Sequence, residues 1–337
     1  MGCGSSAQPS ASVDPSPKDP EIKDEQQNDS LEEENPDIKE IIDSLTAINR
    51  LIEKKDLDID ESSAMKTSSG FLYLGTFKEN SVVIKEINIT LSDISPFLYE
   101  AEELLQLEHD GILRLEAVCV DPPMLVFPFY EKGNLQDHLY LTRSSPESLP
   151  RPKQLKWLTK LQYIIEIVQS LQHIHTSSPQ HLLGCLTSPH ILVSDDGHLV
   201  VGGFGCSFRI RLMTAQEKLA NTPLRLSSLT WTAPELVGCE TQLTLKMDAY
   251  ALGIVMFEIL FQHDPYEGIS QKQIMASILN GNPIRPTIPS EEEYNKLGIP
   301  TEIVALMQEC WDEIPENRPA LDDMLEQLEG MLVNPSD

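Results

Sequence analysis

Apolar side chains begin to recur at helical spacing only after the first 36 residues of the chain. Residues 7–36 are rich in Pro, Ser, Asp and Glu. They hold too few apolar side chains to bury a core, which predicts a solvated tether. From residue 38 apolar side chains return every three or four positions, which predicts an amphipathic helix over residues 37–56. Its apolar face comprises Ile38, Ile41, Ile42, Leu45, Ile48, Leu51 and Ile52. Packing of this face on the rest of the chain is the simpler interpretation, and binding of a partner or another copy is the alternative.

Short apolar runs predict strands in residues 57–131. Residues 57–77 suggest two strands with a loop between them, and the Val-Val-Ile-Lys run at residues 82–85 suggests a third. A helix is predicted to begin at residues 97–102. This part of the chain is therefore expected to be rich in strands.

Residues 132–332 contain longer stretches in which apolar side chains recur at helical spacing. Apolar spacing predicts a short helix near residues 134–141, a long central helix over 157–175 and a buried helix that begins at Asp248 and runs through Phe261. The predicted fold class is α+β, with a strand-rich first part and a mainly helical second part.

Composition and charge narrow the class of protein. The 337 residues are 40% hydrophobic, enough for a substantial core, and carry a net charge of -28. Nucleic-acid phosphates require Lys and Arg, so nucleic acid is not an expected partner. No apolar run of about 18 residues is present, and no hydrophobic stretch follows Met1, so an intracellular protein is expected. Six cysteines without C-x-x-C pairs indicate a reduced compartment, namely Cys3, Cys119, Cys185, Cys206, Cys239 and Cys310.

The first six residues match a signal for N-terminal acylation. Gly2 and Ser6 fit the pattern M-G-x-x-x-[ST] for myristoylation, and Cys3 lies beside Gly2 for palmitoylation. Residues 1–37 contain ten acidic residues and only two lysines. An acidic tail is repelled by anionic lipids, so the second acyl group is needed for stable binding. The expected location is the cytoplasmic face of the plasma membrane or of another membrane.

The candidate chemistry lies in residues 182–211. Residues 183–190 read L-G-C-L-T-S-P-H, and Gly203-Phe204-Gly205 follows after a predicted β-hairpin whose turn contains Asp196-Gly197. Protein kinases carry H-R-D-L-x-x-x-N, a hairpin and D-F-G in this order. Further along, residues 231–235 read W-T-A-P-E and residues 315–319 read P-E-N-R-P.

In this order of motifs, residues 57–332 resemble a pseudokinase of the tyrosine-kinase and tyrosine-kinase-like group. The resemblance implies a bilobal protein-kinase-like fold with a β-rich small lobe at 57–131 and a mainly α-helical large lobe at 132–332. It also implies that Cys185, His190 and Gly203 stand where kinases have the proton-accepting Asp and the Asn and Asp that hold Mg²⁺. The resulting expectation is a protein that is not an enzyme, holds no metal or other cofactor and disfavours ATP, since only Gly70 remains of the glycine-rich loop.

Other positions are expected, by the same resemblance, to keep structural roles. Lys85 and Glu100 would form an ion pair. This pair is weak evidence for cofactor binding, and its expected role is structural, to hold the strand and the helix together. Phe127 would be a bulky gatekeeper residue at the back of the cleft. Glu235 would pair with Arg318, and Asp248 would brace the loop at 183–190. A closed stack of apolar side chains between the lobes would comprise Leu104, Leu115, Leu183 and Phe204.

The favoured function is a membrane-tethered signalling scaffold or allosteric regulator, with an active kinase or a receptor tail as a possible protein partner. The first alternative is an unorthodox active kinase with relocated acids, for which Asp195 and Asp196 are the candidates. The second alternative is a nucleotide sensor that works without metal. The oligomeric state is left open by these patterns.

Overall fold

A six-stranded mixed sheet occupies the N-terminal part of the chain, and helices occupy the rest. The computed structural model describes residues 36–67, 70–89, 94–142, 151–177, 181–203, 226–237 and 244–333. The strands of the sheet lie in the order β1-β5-β6-β4-β3-β2. They are β1 (Leu51–Ile52), β2 (Asp58–Lys66), β3 (Gly70–Phe77), β4 (Asn80–Ile87), β5 (Ala117–Cys119) and β6 (Met124–Pro128), and a hairpin in the second part comprises β7 (Ile191–Val193) and β8 (Leu199–Val201).

Ten helices are described along the chain. Those of the N-terminal part are α1 (Pro36–Ala47) and α2 (Ser95–Gln106). Those of the C-terminal part are α3 (Leu135–Leu139), α4 (Trp157–Thr176), α5 (Pro234–Val237), α6 (Lys246–Phe261), α7 (Gln271–Leu279), α8 (Glu291–Lys296), α9 (Thr301–Cys310) and α10 (Leu321–Val333). None of the helices in the described part of the chain is long and apolar enough to cross a membrane.

Side chains of the central strands alternate between two cores, as the period-two geometry of a strand requires. In β6, Leu125 and Phe127 face the cluster that contains α1 and α2. Met124 and Val126 face the opposite cluster, together with Val82 and Ile84 of β4. Both faces of β6 are therefore buried, which explains why this central strand is apolar at successive positions.

The predicted helix over residues 37–56 is wrong in its C-terminal half. The helix ends at Ala47, and Asn49 adopts a left-handed φ of 55°. Leu51 and Ile52 then pair in parallel with Val118 and Cys119 of β5. Pairing with the sheet edge satisfies backbone hydrogen bonds there, so the apolar spacing that suggested further helix serves a strand instead. The sheet consequently begins before residue 57, where the small lobe was predicted to begin.

The helical part is built around α6. All residues of this helix from Met247 to Phe261 are buried, including Asp248 and Glu258. Helices α4 and α9 pack against it in one large apolar cluster. A helix that is apolar all round must be enclosed on every side, and α6 therefore sets the positions of the loops that line the site.

Candidate functional site

A cavity of about 500 Å³ lies between the sheet and the helical part. Strands β2, β3 and β4 form its roof, the segment after β6 forms its back, and the loop before β7 forms its floor. Apolar side chains from the roof and back include Met65, Leu72, Val83, Phe127 and Phe129. The volume is large enough for a small-molecule ligand.

An ion pair lies under the roof of the cleft. Lys85 of β4 and Glu100 of α2 are joined by an Nζ to Oε1 distance of 3.3 Å. Lys85 lines the cavity, whereas Glu100 is buried beside it. Because removal of either partner would leave a charge in a largely desolvated place, the pair fixes α2 against the sheet.

The back of the cleft is apolar and offers few hydrogen bonds. Phe127 is only 9% exposed and pairs with Val83 across the sheet. Pro128 follows it and has no backbone N–H to donate. Tyr130 also lines the cleft, and burial raises the pKa of its hydroxyl. A ligand there would be held mainly by apolar contact.

The floor brings together the three predicted positions Cys185, His190 and Gly203. The thiol of Cys185 donates to the backbone oxygen of Gly203. The Nδ1 atom of His190 lies 3.4 Å from the backbone oxygen of Cys185. Gly203 has a φ of +88°, and a Cβ atom added there would lie 3.0 Å from Nδ1 of His190. The imidazole therefore crowds the position that a Cβ atom at residue 203 would take.

Asp248 supports this floor from below. Its carboxylate accepts the backbone N–H groups of Leu183 at 2.9 Å and Gly184 at 2.7 Å. The ring of His175 lies 2.7 Å from the same carboxylate, and Asp248 is 1% exposed. Gly184 adopts a φ of +72°, a left-handed conformation that glycine reaches without strain. Asp248 thus sets the path of the loop that carries Cys185.

Glu258 is a buried carboxylate that the sequence patterns did not single out. It accepts hydrogen bonds from the hydroxyls of Tyr140 at 2.5 Å and Ser188 at 2.6 Å, and from the indole N–H of Trp231 at 2.8 Å. Burial raises the pKa of Glu258 to about 7, against the opposing effect of its three donors. The one sequence signal for it is a Glu that stands among apolar residues near the C-terminal end of α6.

A second buried ion pair ties α5 to the base of the helical part. Arg318 donates to both carboxylate oxygens of Glu235, at 2.6 and 2.9 Å. It also donates to the backbone oxygens of Asp312 and Lys246. This bidentate hydrogen bonding holds the segment that ends in W-T-A-P-E against the core.

The remaining predicted positions are only partly brought together. Leu104 and Leu115 share the core next to α1 and α2, whereas Leu183 belongs to the large core of the helical part. Phe204, which was predicted to join them, lies outside the described residues, as do Gly2 and Cys3. Asp195 and Asp196, the candidates for relocated acids, are exposed in the turn between β7 and β8 and do not line the cavity.

A strand-rich lobe lies over a helical lobe, with a Lys–Glu pair above the cleft and a Glu–Arg pair below it. This arrangement is the protein kinase fold. The family model described as protein tyrosine and serine/threonine kinase matches residues 63–328, and the chain belongs to this family. The predicted α+β bilobal fold is thereby confirmed.

Similar proteins include several that are named kinases. The chain is 27% identical over 277 residues to the probable serine/threonine-protein kinase roco6 of Dictyostelium discoideum, covering 79% of this chain and 12% of roco6. It is 27% identical over 296 residues to the probable serine/threonine-protein kinase drkC of the same organism, covering 85% of this chain and 37% of drkC. It is also 28% identical over 270 residues to the putative serine/threonine-protein kinase/receptor R818 of Acanthamoeba polyphaga mimivirus, covering 79% of this chain and 15% of R818. The chain thus spans much less than two thirds of each relative.

The prediction that the chain is not an enzyme is wrong. The family that its sequence matches is a family of enzymes, and the similar proteins are named serine/threonine kinases. The prediction inferred a class of protein from three substituted positions in the cleft. The family relationship rests instead on most of the chain.

Kinases hold Mg²⁺ in this cleft, and the residues described here do not fit that ion. Mg²⁺ prefers oxygen ligands, usually carboxylates together with phosphates and water. The floor presents the imidazole of His190 and no side chain at Gly203, and the thiol of Cys185 donates to the backbone oxygen of Gly203. Among the described residues, no group of three His, Cys, Asp or Glu side chains is close enough together to hold a metal ion.

Proposed function

We propose that this member of the protein kinase family acts in signalling as a membrane-tethered scaffold or allosteric regulator of partner proteins. In this proposal acyl groups on Gly2 and Cys3 hold the chain at the cytoplasmic face of a membrane. The folded lobes then present a surface to a protein partner such as an active kinase or a receptor tail. Nucleic acid is not a proposed partner, because the net charge of the chain is -28.

The observation that carries this proposal is the direct packing of α1 on α2. The apolar face of α1 is buried against α2 in one core, through Ile38, Ile41, Ile42 and Leu45. Phe97, Leu98 and Ala101 of α2 belong to the same core. Because Glu100 of α2 also pairs with Lys85 in the cleft, the N-terminal segment and the cleft are joined through a single helix.

A second attachment follows immediately after α1. Arg50 forms an ion pair with Glu116 at 3.1 Å and also donates to the backbone oxygen of Glu116 at 2.8 Å. Strand β1 then pairs with β5. The N-terminal segment therefore contacts both α2 and the edge of the sheet. A partner that binds this segment would change the position of α2, and with it the ion pair in the cleft.

Removal of the N-terminal acylation site is expected to release the protein from membranes. We expect Gly2→Ala to reduce the membrane-bound fraction by roughly tenfold in a flotation assay of the full chain, because the myristoyl chain can then no longer be attached. Cys3→Ser should give an intermediate result, since one acyl chain holds a protein weakly. Gly4→Ala preserves both acceptor residues and serves as the matched control. Flotation of Gly2→Ala at the level of the unmodified sequence would contradict the tether.

Loss of an anchoring side chain in α1 is expected to loosen α2. Leu45 is 1% exposed, so Leu45→Ala should lower the free energy of unfolding by about 2 kcal/mol. Ile48 follows the last residue of α1 and is 50% exposed, and Ile48→Ala is the matched control, with little expected effect. Hydrogen exchange of the backbone amides in α2 should quicken in the Leu45 variant alone. Unchanged exchange in α2 would contradict the coupling between α1 and the cleft.

A second candidate function is serine/threonine kinase activity, which the names of the similar proteins favour. Incubation of the full chain with radiolabelled ATP, a protein substrate and either Mg²⁺ or Mn²⁺ separates the two candidates. Lys85→Met removes the cation that lines the cleft and is the reference variant. Incorporation above that of Lys85→Met would favour the kinase. Equal incorporation by the two proteins would favour the scaffold.

A further inference from the structure

His190 and Gly203 pack closely against each other on the floor of the cleft. A Cβ atom at Gly203 would lie 3.0 Å from Nδ1 and 3.1 Å from both Cβ and Cγ of His190, closer than such atoms normally approach. The neighbouring backbone is equally close, since the N–H of Gly202 donates to the backbone oxygen of His190 at 2.9 Å. The imidazole therefore lies directly against the backbone of Gly203.

Several contacts hold the two residues in this arrangement. His190 ends a short 3₁₀ turn at Ser188–His190, and its N–H donates to the backbone oxygen of Thr187 at 3.0 Å. Ser188 of that turn donates to the buried carboxylate of Glu258. On the other side, the thiol of Cys185 donates to the backbone oxygen of Gly203. Both partners are thus fixed by groups outside the pair.

We infer that His190 and Gly203 form a matched pair that excludes a divalent cation from the cleft. The ring of His190 crowds the Cβ position of any side chain at residue 203, and Gly203 is the residue that leaves room for the ring. Within the described part of the cleft, the two positions then offer an imidazole nitrogen and no side-chain oxygen, whereas Mg²⁺ prefers oxygen ligands. A ligand of this cleft is accordingly one that binds without a bridging metal ion. The inference concerns the cleft alone and does not depend on the membrane tether.

The matched pair predicts which substitutions would create a metal-binding site in the cleft. Gly203→Asp alone places a carboxylate against the ring of His190, so its oxygens are not free to take up a cation. His190→Asn alone opens the space but supplies no carboxylate. The double variant His190→Asn/Gly203→Asp has both the space and the oxygen ligands. Asp is also among the residues that best tolerate the positive φ found at position 203.

Manganese binding to the full chain tests the inference. Free Mn²⁺ is titrated and followed by electron paramagnetic resonance, which needs no catalytic activity. We expect the unmodified chain and both single variants to bind weakly, and the double variant to bind at least about tenfold more tightly, since it adds two oxygen ligands. Tight binding by the unmodified chain, equal binding by Gly203→Asp and the double variant, or no gain in the double variant would each overturn the inference.

A thermal unfolding cycle checks the contact independently of any metal. Gly203→Ala should lower the Tm in the presence of His190, because of both the positive φ and the short contact with the ring. In a His190→Ala background only the cost of the positive φ remains, so the loss in Tm should be smaller by about 2 °C or more. Equal losses in the two backgrounds would show that the ring and position 203 are independent, and would overturn the matched pair.

Discussion

Replacement of Arg318 by methionine is expected to lower the free energy of unfolding by about 3 to 5 kcal/mol, because it leaves the carboxylate of Glu235 buried without its partner. Arg318 is 1% exposed and Glu235 is 9% exposed, so water cannot easily replace the lost donors. The guanidinium also lies 5.2 Å from the centre of the Tyr250 ring, and this stacking contact is lost as well. Denaturant unfolding of the full chain measures the difference.

Two further variants separate the buried charge from the lost contacts. Arg318→Lys keeps the charge but not the planar fork that reaches both oxygens of Glu235, so its loss should be intermediate. In Arg318→Met/Glu235→Leu no unpaired carboxylate remains, and the double variant should be more stable than Arg318→Met. A double variant that is no more stable than Arg318→Met would contradict the stated mechanism.

An exposed ion pair provides the matched control. Lys296 and Glu292 lie one helical turn apart in α8, with an Nζ to Oε1 distance of 2.8 Å and with 68% and 81% of their side chains exposed. Lys296→Met should cost at most about 0.5 kcal/mol, because exposed pairs of this kind are screened by water and salt. Replacement of a cation by methionine should thus lower the free energy of unfolding much more at Arg318 than at Lys296.

The resemblance of short motifs to those of kinases was sufficient to predict two ion pairs of this fold. Lys85 and Glu100, and likewise Glu235 and Arg318, were assigned to each other from short motifs far apart in sequence, and the structure places each pair in direct contact. Such predictions succeed because each motif fixes a residue on a particular element, and the order of elements fixes which of them meet.

Features that depend on packing could not be predicted from the same patterns. The apolar residues after Ala47 fit a helix as well as a strand, and only the free edge of β5 decides between them. The contact between His190 and Gly203 depends on the path of two loops. Periodicity can identify which side chains are apolar, but it does not show which backbone atoms approach each other.

The family relationship shows a different limit of the sequence patterns. Three substituted positions led to the prediction of a protein that is not an enzyme, whereas the match over residues 63–328 places the chain in a family of kinases. A local departure from a motif describes one site. It does not by itself define the class to which the whole chain belongs.

The stability of the protein is expected to fall as the pH rises from 5 to 8, and Glu258 is the expected cause. Burial raises the pKa of Glu258 in the folded state to about 7, from an ordinary value of 4.5. The folded state therefore binds this proton more tightly than the unfolded state does. The resulting stabilisation is fully present below pH 4.5 and is lost as the pH rises through 7, a total loss of about 3 kcal/mol.

The surroundings of Glu258 explain why burial outweighs its hydrogen bonds. Tyr140, Ser188 and Trp231 each donate to the carboxylate, and each favours the charged form. All three donors are neutral, however, and Asp264 adds further negative charge nearby. Three neutral hydrogen bonds do not fully replace the water that an ionised carboxylate loses on complete burial.

Comparison with Glu258→Gln isolates this residue from the other titrating groups. Histidines also titrate between pH 5 and 8, and burial lowers the pKa of His109 and His138, which contributes a change of opposite sign. Those contributions are common to both proteins and cancel in the difference. The difference in free energy of unfolding between the two proteins, measured at pH 5, 6, 7 and 8, should therefore change with pH, with the unmodified chain losing about 2 to 3 kcal/mol relative to Glu258→Gln across this range. Glu292→Gln changes an exposed carboxyl and should leave the pH dependence as it is. Parallel curves for Glu258→Gln and the unmodified chain would show that this carboxyl is already ionised at pH 5, and that its three donors stabilise the charge in spite of burial.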